Sequence, residues 1–384
     1  MEPAKRCSHI TPFIVMEILE KIHKMEATGI DVVHMEIGEP DFNVPECVNK
    51  VGIEALLSNQ THYTHSLGDI RLREAIRDYH QRIYGTVIDP GRILVTSGTS
   101  PAMLLLFSAL VNPGDEIIIS DPHYACYANF ITYVQGVPVT VPVYEEEGFI
   151  FTPQAIEKKI TPRTKAIFIN SPANPTGIVI PRDRMKEIVE VARENHLYII
   201  SDEIYHGLVY EGKEHSILEF TDEAFVLNGF SKLFAMTGLR LGYLISPPEF
   251  VRALQVLQQN FFICANSVVQ LAGAAALTHS DKETQIMRET YNSRRVYMIE
   301  RLRRMGFGLA TEPTGAFYVF VNAKHISTDS YALALDILEK AHVGVTPGID
   351  FGANGEGYLR FSYANSMENL KTGLDRVEGY LKKQ

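Results

Sequence analysis

Apolar positions along this chain follow two spacings, and over the middle of the sequence the two alternate. From Ile93 onward, short apolar runs read as strands at Ile93 to Thr96, Glu116 to Ser120, Val137 to Val141, Ala166 to Asn170 and Leu197 to Ser201. Between them, Pro101 to Val111, Tyr124 to Val134 and Arg182 to Glu194 carry the period of helices. Phe225 to Asn228 and Leu241 to Ile245 add two short strands. Such alternation predicts an α/β fold: a mainly parallel central sheet flanked by helices on both faces.

The flanks are patterned differently. Pro12 to Ala27 carries Ile14, Ile18, Leu19, Ile22 and Met25 at helical spacing and ends at Gly29. A short apolar segment, Val32 to Ile37, meets a turn at G-E-P-D-F, Gly38 to Phe42. Helices are expected from Pro45 to Leu57 and from Gly68 through Tyr79. Helical pattern dominates Pro248 to Met305, including one long helix through Met287 and Met298. Beyond Gly306 come a strand at Ala316 to Val321, a helix at Tyr331 to Lys340, a short strand at Gly344 and Val345, a strand at Tyr358 to Ser362 and a helix at Glu368 to Leu381. A chain of 384 residues exceeds the usual single core, so two units are expected. The larger spans 41–289, and residues 1–40 join 290–384 in a smaller α+β unit, the boundary running through the long helix.

Composition narrows the partners. A net charge of -10 argues against a broad nucleic-acid or anionic-membrane footprint, while leaving room for a small basic pocket. The longest apolar run, Ala102 to Val111, is broken by Ser108 and is about half a membrane span. The amino terminus lacks the apolar core of a secretory signal, and Cys7, Cys47, Cys126 and Cys264 have no paired spacing, which fits a reducing cytoplasm.

In an open parallel sheet, ligands bind beyond the carboxyl ends of the strands. There the chain places T-S-G-T-S (Thr96 to Ser100), which opens a helix and offers N–H groups and hydroxyls to an anion; alone it is equally an ordinary helix cap. D-P-H-Y brings Tyr124, N-S-P-A-N-P-T-G brings the Asn174 amide, and S-D-E-I-Y brings Asp202 and Tyr205. N-G-F-S-K-L-F-A-M-T-G-L-R-L-G-Y, Asn228 to Tyr243, sets Lys232 among small and apolar residues with Arg240 eight positions on. Burial disfavours an ammonium and leaves an amine able to attack a carbonyl. Gly229, Gly238 and Gly242 suit close approach to backbone, and a fixed guanidinium suits a phosphate. G-L-V-Y-E-G-K at Gly207 to Lys213 has the spacing of a nucleotide phosphate loop but is followed by Glu214 where a magnesium-binding hydroxyl is required. His62 and His65 lack further ligands for a metal.

Taken together, these motifs resemble the class I and II aminotransferases, fold type I enzymes dependent on pyridoxal 5'-phosphate, over almost the whole chain from G-E-P-D-F to Y-L-R-F-S-Y-A. The resemblance implies that Lys232 holds the cofactor as a Schiff base and serves as the proton carrier, with Asp202 on the pyridinium nitrogen. It further implies that Tyr205 and Asn174 bond the ring oxygen, Tyr124 stacks on the ring, and Arg240, Ser231 and the N–H groups near Thr99 and Ser100 hold the phosphate. Arg360 would clamp the substrate carboxylate, helped by Asn174 and the Gly38 N–H, and Phe317 is either a pocket wall or a core aromatic. Tyr63 would reach the phosphate of a neighbouring subunit, implying a homodimer. Two positions depart from common relatives: Gly229 stands where many carry serine, and Ser100 where some dicarboxylate-specific members carry lysine. The implied activity is ping-pong transfer of an amino group from an L-amino acid to a 2-oxo acid. The alternatives are a C–S lyase or cyclopropane-forming synthase of the same fold and, more remotely, a non-catalytic regulatory module.

Overall fold

The structure is a computed structural model, and it describes residues 4–383. Helix α1 (Ile14–Glu26), strand β1 (Val33–His34) and helices α2 (Glu46–Leu57) and α3 (Ile70–Tyr84) open the chain. The alternating region follows as β2 (Ile93–Thr96), α4 (Thr99–Leu110), β3 (Glu116–Asp121), α5 (Cys126–Tyr133), β4 (Val137–Pro142), α6 (Pro153–Glu157), β5 (Thr164–Asn170), α7 (Arg182–Glu194), β6 (Tyr198–Asp202), β7 (Ala224–Gly229) and β8 (Gly242–Ile245). Helices α8 (Pro248–Phe261), α9 (Ser267–His279) and α10 (Asp281–Arg304) lead to β9 (Tyr318–Asn322), α11 (Ser330–Ala341), β10 (Val343–Gly344), β11 (Thr346–Pro347), β12 (Tyr358–Ser362) and α12 (Met367–Leu381).

Seven strands form the large sheet in the order β2-β8-β7-β6-β5-β3-β4. Pairs from β7 through β4 are parallel, as the alternation predicts, while β8 runs antiparallel to both β7 and β2. No crossover helix lies between β7 and β8; the lysine loop alone returns the chain, and such a return is antiparallel. Both faces of this sheet are apolar because both are covered. Leu94, Ile117, Phe168, Ile200 and Leu227 point into a core shared with α4, whereas their neighbours Val95, Ile118, Ile167, Ile199 and Val226 join the core on the opposite face.

A three-stranded antiparallel sheet, β11-β12-β9, and a two-stranded parallel pair, β1-β10, are built from the two ends of the chain. Several expected boundaries move. Helix α3 runs past Tyr79 to Tyr84 and stops at Gly85, whose φ of 74° supplies the left-handed cap. The expected helix at Tyr124 starts at Cys126. The strand expected at Gly344 and Val345 divides between two sheets, with Val345 in neither strand. His62 and His65 lie exposed in the non-helical segment between α2 and α3, so they share no helix face. The four cysteines are free thiols. No helix among the described residues is long and apolar enough to cross a membrane.

Candidate active site

The parallel strands deliver their carboxyl ends to one edge of the large sheet, and there a cleft of about 410 Å³ opens between that edge, α1 and the β9–β12 sheet. Asp202 is the last residue of β6; Asn174 follows β5, Tyr124 follows β3, and Thr99 and Ser100 begin α4 after β2. Ser231, Lys232 and Arg240 come from the loop between β7 and β8, Arg360 from the middle of β12, and Gly38 from the turn after β1. With Tyr205 these make every sequence-predicted site residue except Tyr63, which is 81% exposed and lies against a separate concavity with Arg71 and Arg73.

At the floor, Asp202 is enclosed. Its Oδ2 accepts from the Tyr127 hydroxyl at 2.7 Å and Oδ1 from the Ile204 N–H at 3.1 Å. Burial pushes this carboxyl up to about 6, against those hydrogen bonds and the charge of Lys232. The Lys232 Nζ donates to the Gly38 carbonyl at 2.7 Å and stands 5.9 Å from the ring centres of Tyr205 and Phe317. Lys232 is half-buried as a residue, and burial of its amine brings it down to about 8, opposed by Glu39.

A second group converges on Arg360, which is buried. Its Nη1 donates to Asn174 Oδ1 at 2.8 Å, and its Nη2 to the Glu36 carbonyl at 2.5 Å and Thr346 Oγ1 at 3.1 Å. Tyr318 lies under the guanidinium at 4.3 Å and Phe351 at 4.9 Å, fixing its plane, while Nε has no partner among the described residues. The Asn174 N–H is in turn held by Asn170 Oδ1 at 2.8 Å, and Asn170 donates to the Asp202 carbonyl at 2.9 Å. One hydrogen-bonded chain therefore ties Arg360 to the backbone of Asp202.

At the other end, α4 begins without a side-chain cap, leaving its first N–H groups open to an anion. Arg240 takes a φ of 54° and donates to the Thr237 carbonyl at 2.9 Å. A Cβ on Gly98 would stand 2.6 Å from Arg240 Nη2, and one on Gly242 would meet the Gly98 backbone at 2.7 Å. Gly242 is thus required by the close approach of the loop to the helix start, and Gly98 by its φ of 102°. Gly238, expected to serve the same purpose, has open space around it.

Other expectations change in detail. Gly38 presents its carbonyl to Lys232, and a Cβ there would collide with the Tyr318 hydroxyl at 2.0 Å. Tyr205 bonds the Tyr318 hydroxyl at 2.8 Å. Phe317 is core, not cleft lining. Sequence reasoning missed Tyr127 and Tyr318, which neighbour singled-out residues at Tyr124 and Phe317, and the α1 face of Phe13, Val15, Met16 and Leu19.

A buried acid, a desolvated amine, a tyrosine ring and an uncapped helix start beside a guanidinium make a site whose donor set fits a phosphorylated pyridine aldehyde. The chain belongs to the class I and II aminotransferases, the family model matching residues 30–377, and these enzymes depend on pyridoxal phosphate. It is 42% identical to the (5-formylfuran-3-yl)methyl phosphate transaminase of Methanocaldococcus jannaschii, over 99% of this chain and 100% of that one. It is 38% identical to an aspartate aminotransferase of Pyrococcus horikoshii, over 95% of this chain and 93% of that one. The solved structure of Thermus thermophilus aspartate aminotransferase with maleate superposes with a TM-score of 0.95 at 35% identity, covering 99% of each chain. The α/β architecture and the transaminase activity expected from the sequence hold.

Proposed function

We propose that Lys232 moves a proton at the substrate Cα, Asp202 holds a proton on the cofactor ring nitrogen, and Arg360 clamps the substrate α-carboxylate. Pyridoxal phosphate supplies an aldehyde carbon that takes the amino group and a ring that withdraws electrons. The observation that carries this reading is that Lys232, Asp202 and Arg360, distant in sequence, line one cleft. With its amine brought down to about 8, a useful fraction of Lys232 is neutral near physiological pH and able to accept the Cα proton. Asp202, enclosed and hydrogen-bonded on both oxygens, is suited to pairing with a protonated ring nitrogen.

Tyr205 and Asn174 are assigned to the ring oxygen and Tyr124 to the ring face. Arg240, Ser231 and the α4 start with Thr99 and Ser100 are assigned to the phosphate. Arg360 offers a planar fork already oriented by Tyr318 and Asn174, so a carboxylate meets paired donors with little reorganisation. Gly38 is assigned to the same carboxylate through its N–H.

The exposure of Tyr63 outside the cleft supports its reading as a contact to the cofactor of a second copy, in a homodimer. We also assign residues 1–40 and 290–384 to a smaller unit and 41–289 to the cofactor-binding unit; residues 1–3 and 384 lie outside the described residues. A cytoplasmic location accords with four unpaired cysteines. The experiment loads the purified chain with pyridoxal phosphate and offers a panel of amino donors, aspartate and aromatic amino acids included, with 2-oxoglutarate or pyruvate. Formation of the new amino acid in step with the new 2-oxo acid is expected. Release of ammonia or thiol without a new amino acid would instead assign a lyase.

A further inference from the structure

The cleft has one wall that the cofactor's chemistry leaves unexplained. Helix α1 and the segment after β1 present Phe13, Val15, Met16, Leu19 and Ile37 to it. Phe13 meets the Tyr124 ring edge-on, centroids 5.8 Å apart. Met16 is 49% exposed and Leu19 half-buried, so this apolar surface is left open at the cleft.

Charge at the same place is unhelpful to an acidic side chain. The cations lining the cleft are Lys232, Arg240 and Arg360. Lys232 and Arg240 are assigned to the cofactor and Arg360 to the substrate α-carboxylate, so none of the three is left over for a second carboxylate. Glu39 lines the cleft too, and its carboxylate accepts from the Thr237 hydroxyl. A second substrate carboxylate would therefore lose water against methyl and phenyl groups without gaining a counter-ion. The concavity around Tyr63, proposed to approach a second copy, has no idle arginine among its lining either. Arg71 forks onto Asp69 at 2.9 and 2.6 Å, and Arg73 donates to the Gly68 and Pro90 carbonyls at 3.1 and 3.0 Å.

We infer that this cleft selects amino acids with a bulky apolar side chain over those with a second carboxylate, and that Met16 and Leu19 of α1 are the residues that set the preference. The inference rests on the reading of Arg360 as the carboxylate clamp, which orients the rest of the substrate toward α1.

The test measures calorimetric binding of 3-phenylpropionate and of maleate to the cofactor-loaded enzyme, neither ligand having an amino group to react. Phenylpropionate should bind at least roughly tenfold more tightly, and kcat/KM for phenylalanine should exceed that for aspartate by a similar factor. Leu19→Ala and Met16→Ala should each weaken phenylpropionate while leaving maleate unchanged, a split that general misfolding would not produce. Maleate binding as tightly as phenylpropionate, with aspartate turned over as fast as phenylalanine, overturns the substrate class and leaves transamination standing. If Arg360→Lys alters neither affinity, the clamp itself fails and the inference falls with it.

Discussion

Asp202 and Glu203 are consecutive, both are enclosed, and burial pushes both carboxyls up, to about 6 and about 8. They nevertheless serve different surroundings. Asp202 opens on the cleft that holds Lys232 and Arg360. Glu203 points to the opposite side, where its Oε1 accepts from the Ile217 N–H at 2.9 Å, Ser201 Oγ at 3.0 Å and Ser216 Oγ at 3.2 Å, and Oε2 has no partner among the described residues. His206 stands 3.5 Å from that carboxyl, and burial pushes the carboxyl up and the imidazole down, each toward its uncharged form. Tyr84 bonds His206 at 2.8 Å, and His80 and Tyr243 pair at 3.2 Å beside them. A displaced ionisation thus accompanies burial on both sides of the strand. Access to a ligand-sized volume and to charged partners is what separates a site from a sealed polar core.

The largest effects are expected at Lys232 and Asp202. Lys232→Ala and Asp202→Asn should each lower kcat by about a thousandfold or more, whereas Glu203→Gln should leave kcat/KM nearly unchanged in steady-state assays. A Glu203→Gln loss equal to that of Asp202→Asn would erase the distinction. Next in size, Arg360→Lys keeps the charge and loses the planar fork. Amino-acid binding should weaken by about 2 kcal/mol, read as a rise in KM of roughly thirtyfold.

The sealed side predicts a pH effect on stability. Because the folded Glu203 value lies above that of an unfolded glutamate, its contribution is fully present below about 4.5 and is lost as pH rises through about 8. Thermal unfolding of wild type should fall over that window, and Glu203→Gln should flatten this part of the fall; parallel curves would refute the assignment. The smallest effect belongs to His34, raised to about 9 chiefly by its 2.7 Å hydrogen bond to Glu36, whose carbonyl supports Arg360. Its stabilisation is fully present below about 6.5 and lost as pH rises through about 9. In His34→Gln that alkaline loss of Tm should disappear.

Much of this was legible in the sequence because it is local. Helix α7 and strands β2 and β12 fall where the apolar spacing predicts, residue for residue. The cleft residues at strand ends follow from the rule that parallel strands present their carboxyl ends together. What escaped depends on tertiary approach. Tyr127 reaches Asp202 only because its ring lies against Phe168 of β5, beside the end of β6, and Tyr318 of β9 meets both Arg360 on the adjacent strand β12 and Tyr205 beyond the large sheet. The periodicity of α1 marks it as amphipathic but does not tell which part of it faces a cleft. Gly238 has the same composition signal as Gly242, yet only Gly242 meets another backbone.

Lys232 is proposed as the amine that binds the cofactor. Adding pyridoxal phosphate, reducing with borohydride and mapping the peptides by mass spectrometry tests it directly. One stable pyridoxyl label is expected, on Lys232, and it should be absent from the Lys232→Ala protein. A label on another lysine that persists in Lys232→Ala would contradict that assignment.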